Sequence, residues 1–246
     1  MSNLMTCETE CGKFTVMNTD FIGIWLLEGK HFEIECIREL EKHLQPGDNV
    51  LDIGANIGCY AIPLAKKVGP NGRLFAFEPQ GPVNDLLVKN IEQNELKDIA
   101  IPYHFALGHK NGVARMNKKC DQGIDLDYSS KTHVNYGGIN LGSDGEEVPM
   151  LTVDTFVEQW NNLKIKMIKI DVEGAERMVL AGAKRTIELH RPIVFFEDNF
   201  KSLTHEMVNA YNLPDHIVNM NMQSLFKDYY KYSQIIKVKE NYLCIP

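Results

Sequence analysis

Residues 48–80 read DNVLDIGANIGCYAIPLAKKVGPNGRLFAFEPQ, and the order of residue types in this stretch decides the fold. Val50, Leu51 and Ile53 form the short apolar run that a strand covered on both faces needs. Gly54 to Gly58 is a tight turn. Ala61, Ile62, Leu64, Ala65 and Val68 then recur at helical spacing, and Gly69-Pro70 stops the helix. Leu74 to Phe77 make a second apolar strand that ends at Glu78-Pro79. The stretch is one βαβ unit, and such units bind ligands beyond the carboxyl ends of their strands.

The turn narrows the ligand. Gly54 and Gly58, on either side of Ala55, Asn56 and Ile57, let backbone approach a bound molecule without a Cβ in the way. Asn56 stands where nucleotide-binding turns often carry a further glycine, and Asn tolerates a left-handed backbone. Asp52 puts a carboxylate at the tip of the first strand. Glu78 follows Gly54 by 24 residues, near the spacing of roughly 20 at which an acid reaches ribose hydroxyls. Asp52 would repel a pyrophosphate and attract an ammonium group, so the two acids favour S-adenosylmethionine over NAD. The Gly-x-Gly-x-x-Gly spacing of a nicotinamide enzyme is also absent. The competing reading is a βαβ turn with no ligand at all.

From Phe32 to Glu197 the chain resembles the FkbM family of S-adenosylmethionine-dependent methyltransferases. Two blocks carry the likeness: VLDIGANIGCY with AFEP inside residues 50–79, and IKIDVEGAERMVLAGA at 168–183. The resemblance implies a class I methyltransferase (Rossmann-like) α/β fold. That fold has a mostly parallel seven-stranded sheet, an antiparallel last strand and helices on both faces. It implies S-adenosyl-L-methionine as cofactor and O-methylation of a hydroxyl on a sugar or other metabolite. It also implies that backbone near Ala106 and Leu107 meets the adenine, and that Glu33 falls at an acidic position of the family.

Composition sets outer bounds. A chain of 246 residues suits one large domain, and 44% hydrophobic with 24% charged residues is ordinary for a globular protein. A net charge of −7 argues against a nucleic-acid polymer as partner. Six cysteines without a paired framework read as reduced thiols, and Cys7 and Cys11 lack zinc-spaced companions. The apolar run Phe21–Leu27 is too short to span a bilayer. With no basic and apolar leader pattern, a cytoplasmic location is the default expectation.

Residues 1–31 read as an N-terminal lid or edge of one or two short strands, including Phe21 to Leu27, and 32–246 as the catalytic domain. Helices are expected at 31–43, 83–94, 152–160 and 175–189. Strands are expected at 99–107, 112–116, 167–170, 193–196, 216–220 and 241–245. Residues 117–147 lose apolar periodicity and carry five glycines with Tyr128 and Tyr136. A loop of that length between cofactor strands reads as an acceptor-binding lid, with a surface insertion as the alternative.

A sulfonium donor is already reactive, so the protein's task is alignment and, for a hydroxyl acceptor, a base. Asp171 and Glu173, at the end of the fourth strand, are the candidate catalytic residues; the alternative is that they and Glu176 serve the next helix's positive end. Glu197, ending the fifth strand, reads as an acceptor contact rather than the base, and His104 as a core histidine. No metal site is assigned, although Asp171, Asp198 and Asn199 offer hard oxygen ligands for a divalent cation. An RNA 2′-O-methyltransferase and a non-catalytic cofactor- or partner-binding relative remain the alternative functions.

Overall fold

The computed structural model describes residues 3–120, 123–124, 127, 133–139, 141–142, 144–160, 163–197 and 213–246. The chain opens with a hairpin, β1 (Leu4–Thr9) and β2 (Gly12–Met17), followed by α1 (Phe21–Leu27) and α2 (Ile34–Lys42). Then come β3 (Asn49–Ile53), α3 (Ala61–Val68), β4 (Arg73–Phe77), α4 (Gly81–Gln93) and β5 (Ala100–Tyr103). A small sheet takes β6 (Ala106–Leu107), β7 (Gly112–Arg115) and β8 (Glu147–Leu151), after which α5 (Val153–Glu158) leads to β9 (Ile165–Ile170). The last part holds α6 (Glu176–Ala181), α7 (Lys184–His190), β10 (Ile193–Glu197), α8 (Asp215–Asn219), β11 (Gln234–Val238) and β12 (Asn241–Ile245).

The main sheet has seven strands in the order β11-β12-β10-β9-β3-β4-β5. The five from β10 to β5 are parallel, and β12 runs antiparallel to both of its neighbours. This is the class I methyltransferase architecture expected from the sequence. The apolar runs are continuous because both faces are covered. Val50, Leu74, Ala76 and Met167 enter one core, whereas Leu51, Phe75, Phe77, Ile168 and Ile170 enter the other. Chain order reverses between β3 and β9, so the connections that leave their carboxyl ends part to opposite sides and open the crevice where such sheets hold ligands.

Four local expectations are corrected. Phe21–Leu27 is helix rather than strand, because Asp20 caps it by accepting the Gly23 N–H at 3.0 Å. The strand at 99–107 breaks in two: β5 stays in the main sheet and β6 leaves to pair with β8. The helix at 175–189 is interrupted at Gly182, where an added Cβ would stand 2.0 Å from the Gly108 carbonyl oxygen. Residues 215–219 are helical rather than extended, following Pro214 and burying Ile217, and the partner of β12 is β11.

The N-terminal hairpin is fastened by side-chain amides of α4 and its C-cap, Asn94. Fully buried Asn90 accepts the Thr15 N–H at 2.7 Å and donates to the Thr15 carbonyl at 3.1 Å and the Ile57 carbonyl at 2.8 Å. Asn94 treats Lys13 the same way, at 3.0 and 2.7 Å. Each amide stands in for the next strand of a sheet, covering the donors and acceptors that an edge leaves open. Asn90→Ala strands three buried backbone groups and should cost about 3 kcal/mol or more in urea unfolding. Retained stability in that variant would show that the hairpin is held by its apolar contacts instead.

Candidate functional site

A cavity of about 310 Å³ opens at the carboxyl ends of β3, β4, β9 and β10. Its floor is the glycine turn, Gly54, Ala55 and Asn56, with Gly54 at φ 77° and Asn56 at φ 49°. Gly54 is obligatory on contact grounds as well as backbone conformation. A Cβ there would lie 1.7 Å from the carbonyl oxygen of Asp171.

Glu78, at the end of β4, is 3% exposed and lines the cavity. Its two oxygens accept the backbone N–H groups of Asn56 and Gln80, each at 2.9 Å. Burial pushes its carboxyl up to about 7, against the pull of these two donors. Each oxygen keeps lone-pair capacity beyond its one bond. Ala106 and Leu107 line the same cavity beside Phe105 and Phe77.

Asp52 and Gly58 are not among the lining residues. Gly58, at φ 98°, shapes the start of α3 from behind the wall, accepting the Ile62 N–H. Asp52 is fully buried, and the ammonium beside it belongs to the chain's own Lys169, 3.1 Å away. Lys169 also donates to the Gly54 carbonyl at 2.7 Å, approaches Asp171 at 3.3 Å and lies 5.0 Å from the Tyr60 ring centroid. Burial works against the ammonium, but Asp52 and Asp171 outweigh it and raise its pKa. Burial likewise raises the Asp52 carboxyl, with Lys169 opposing.

Three carboxylates converge on the far wall: Asp171, Glu173 and Glu197 each bring one oxygen within 4.8 Å of the others. Glu173 sits in a left-handed turn at φ 52°. That turn is tied down by Glu176, which accepts the N–H groups of Gly174 at 3.0 Å and Val172 at 3.4 Å. Burial, then the charges of Asp171, Glu173, Glu33 and Glu176, push Glu197 up to about 8. Such a trio can share a proton or hold a hard divalent cation. Asp198 and Asn199, the other oxygen ligands considered from the sequence, lie outside the described residues.

Glu33 also lines the cavity, taking the Tyr60 hydroxyl at 2.7 Å and the Asn241 amide at 3.3 Å. His104 does not line it; its Nε2 faces the Pro79 carbonyl at 3.0 Å on a half-exposed side chain. From the expected lid, Asn135, Gly137, Ile139 and Leu141 reach the cavity. The sequence reading missed Lys169, Tyr60, Gln80 and the aromatic lining from Phe21 and Phe32. Lys169 left a signal: a charge inside a strand buried on both faces needs a partner.

The description of the family model that matches residues 52–220 is "Methyltransferase FkbM domain". Over 177 residues the chain is 25% identical to hexuronic acid methyltransferase AglP of Haloferax volcanii, covering 72% of this chain and 66% of that protein. Over 174 residues it is 28% identical to 31-O-demethyl-FK506 methyltransferase FkbM of Streptomyces tacrolimicus, covering 62% and 66%. The matched part thus falls just short of two thirds of each relative's length. Methyltransferase FkbM of Methylobacillus flagellatus, a solved structure, aligns with a TM-score of 0.48 at 15% identity, over 82% of this chain and 44% of that one.

Lys169→Met would leave the Asp52 charge buried without compensation, an arrangement that costs about 3–5 kcal/mol. Chemical denaturation should register that loss, and adding Asp52→Asn should restore most of it. A single variant as stable as the parent would mean that Asp52 is already protonated in the folded protein.

Proposed function

Since the chain belongs to the FkbM family of S-adenosylmethionine-dependent methyltransferases, we propose that it methylates a hydroxyl of a small-molecule acceptor, a sugar or other metabolite, in the cavity at its strand ends. Glu78 carries the reading: a buried carboxylate, fixed by two backbone donors beside a glycine turn, suits the paired hydroxyls of a ribose. When bound, S-adenosylmethionine supplies an electrophilic methyl group on its sulfonium. Gly54, Ala55 and Asn56 offer bare backbone to the cofactor, and Ala106 and Leu107 offer apolar surface to its base.

The acceptor's proton goes to the acidic wall. From the sequence, Asp171 and Glu173 are the candidates there and Glu197 an acceptor contact. We assign the proton to Glu197 in its ionised form: it lines the cavity beside Asp171 and Glu173, and a carboxyl raised to about 8 is a stronger base than an ordinary carboxylate. Asp171, held by Lys169, and Glu173 orient the hydroxyl. The five carboxyl groups lining the cavity argue against a polyanion such as RNA. Asn135, Gly137, Ile139 and Leu141 serve as part of the acceptor lid in this reading.

Calorimetry should detect stoichiometric binding of S-adenosylhomocysteine and none of NAD; the reverse would sink the proposal. Glu78→Ala should weaken that binding by roughly 1.5–3 kcal/mol, the scale of charge-assisted hydrogen bonds. The pH dependence follows from the raised carboxyl. Above about 7 Glu78 is ionised and accepts both ribose hydroxyls; below it the bound proton must be displaced. Affinity should therefore fall severalfold between pH 8 and pH 6, and Glu78→Gln should be flat over the same range.

Turnover, once an acceptor is in hand, should survive exhaustive chelation and drop about 10²–10⁴-fold in Glu197→Gln. Loss in chelator that Mg²⁺ restores would transfer the three carboxylates from proton transfer to metal binding.

A further inference from the structure

Helix α1 lies outside residues 52–220, which match the family model, yet it helps to roof the cavity. Phe21 and Ile22 line it, together with Phe32 from the following turn. Phe21 and Trp25 are one helical turn apart with ring centroids 5.5 Å from each other, and Trp25 meets Phe32 edge-on at 6.1 Å. Trp25 is not itself a lining residue; it packs against the two rings that are, and the three make an aromatic ledge at the cavity's edge. Phe21 is 47% and Trp25 38% exposed, although Ile22, Gly23 and Leu26 on the same short helix are buried.

The ledge is fixed in place. Asp20 caps α1 through one oxygen, and its other oxygen accepts the Tyr136 N–H at 3.1 Å. Gln80, next to the cofactor-side Glu78, donates to the Tyr136 carbonyl at 3.0 Å. Gly23 lets the helix lie directly on β2, since a Cβ there would stand 2.2 Å from the Met17 carbonyl oxygen. The rings are thus presented on a braced support.

The chemistry behind the ledge restricts what can lie on it. Among the described lining residues Lys169 is the one cation, and it already serves Asp52 and Asp171. Glu33 and Glu197 bring carboxyl oxygens to the acceptor end, where Asp171 and Glu173 make the wall acidic. A matching ligand needs an apolar face for the rings, several hydroxyl donors for the carboxylates and no negative charge. A phenol supplies the face but only one or two donors. A uronate or sugar phosphate supplies the donors but carries the wrong charge.

We propose that α1 reads the acceptor: Phe21 and Trp25 stack on the C–H face of a neutral pyranoside whose hydroxyls meet Glu33 and Glu197. The inference rests on the methyl-transfer reading for the purpose of the site. It goes beyond that reading in naming a neutral ring and in assigning specificity to a helix outside the family match.

The full chain carries two tryptophans, Trp25 and Trp160. Trp160 packs on Phe75 with ring centroids 4.8 Å apart, half-buried against the core on the sheet's other face. Tryptophan fluorescence in protein saturated with S-adenosylhomocysteine therefore reports on the ledge through Trp25. Titration with neutral methyl pyranosides should change the emission. Methyl glucuronide, a hexose phosphate and catechol should each bind at least tenfold more weakly than the best neutral ring. Trp25→Ala should weaken the pyranoside at least tenfold, measured by saturation-transfer NMR. Trp25→Phe should retain most of the affinity, and S-adenosylhomocysteine affinity should stay within about twofold in both variants. Pyranoside affinity unchanged in Trp25→Ala overturns the inference, as does equal or tighter binding of glucuronide or catechol. So does an emission change caused by neutral phospholipid vesicles and by no sugar. Failure of S-adenosylhomocysteine to bind, with pyranoside stacking on Trp25 intact, would instead sink the methyl-donor reading and leave the ledge standing.

Discussion

The backbones at the ends of β3 and β9 come so close that nothing larger than glycine fits at residue 54, and the Lys169 ammonium bridges the junction. Much of the site depends on this approach. It aims the turn at the crevice, because Gly54 and Ala55 both donate to the Phe77 carbonyl while Asp171 donates to that of Ile53. It also fixes Asp171 on the cavity wall through the same lysine that neutralises Asp52. A buried ion pair is weak evidence for stability, since desolvation offsets most of its attraction. Its value here is positional. One charge contacts the two strand ends and the turn between them, so they cannot shift independently.

The acids around the cavity differ in how many donors satisfy them. Glu78 and Glu176 each hold two backbone N–H groups, which fixes them as parts of their turns. Glu33 holds a tyrosine hydroxyl and an amide. Among the described residues no hydrogen-bond donor reaches Glu197, and like charges surround it. A carboxyl in that position binds a proton more strongly than an ordinary carboxylate does.

What the sequence revealed, and what it concealed, follows from the range of the interactions involved. Strands β3, β4, β9 and β10 and the turn after β3 were legible because their signals are local: continuous apolar runs, a glycine pair and acids at strand ends. Phe21–Leu27 was misread because its apolar residues run together, and only the Asp20 cap, a single residue, marks a helix start. The split of 99–107 depends on β8 arriving from forty residues further on to claim Ala106 and Leu107. Lys169 was visible as a charge in a buried run, yet its partner Asp52 had been assigned to a ligand. The pairing appears only once β9 lies beside β3. The aromatic ledge had no sequence signature, since Phe21, Trp25 and Phe32 converge only through the bend between α1 and α2.

The two halves of the cavity are built by different means and share one frame. One part consists of strand ends, whose positions the sheet hydrogen bonds dictate. The part facing it consists of a short helix and residues of a returning loop, neither of which belongs to the main sheet. Such segments hold a precise position only if their backbone groups are satisfied elsewhere. Here Asn90 and Asn94 clamp β2 to α4, and α4 itself begins three residues after Glu78. Asn90 also reaches the Ile57 carbonyl within the glycine turn. A displacement of the hairpin would thus be felt at the turn, and the aromatic ledge it supports keeps a fixed distance from the glycine floor. Residues exposed on the ledge are exempt from that constraint. The side chains of Phe21 and Trp25 take no part in the backbone hydrogen bonds of the frame, so on the proposed reading acceptor choice can vary while the glycine turn and Glu78 stay as they are.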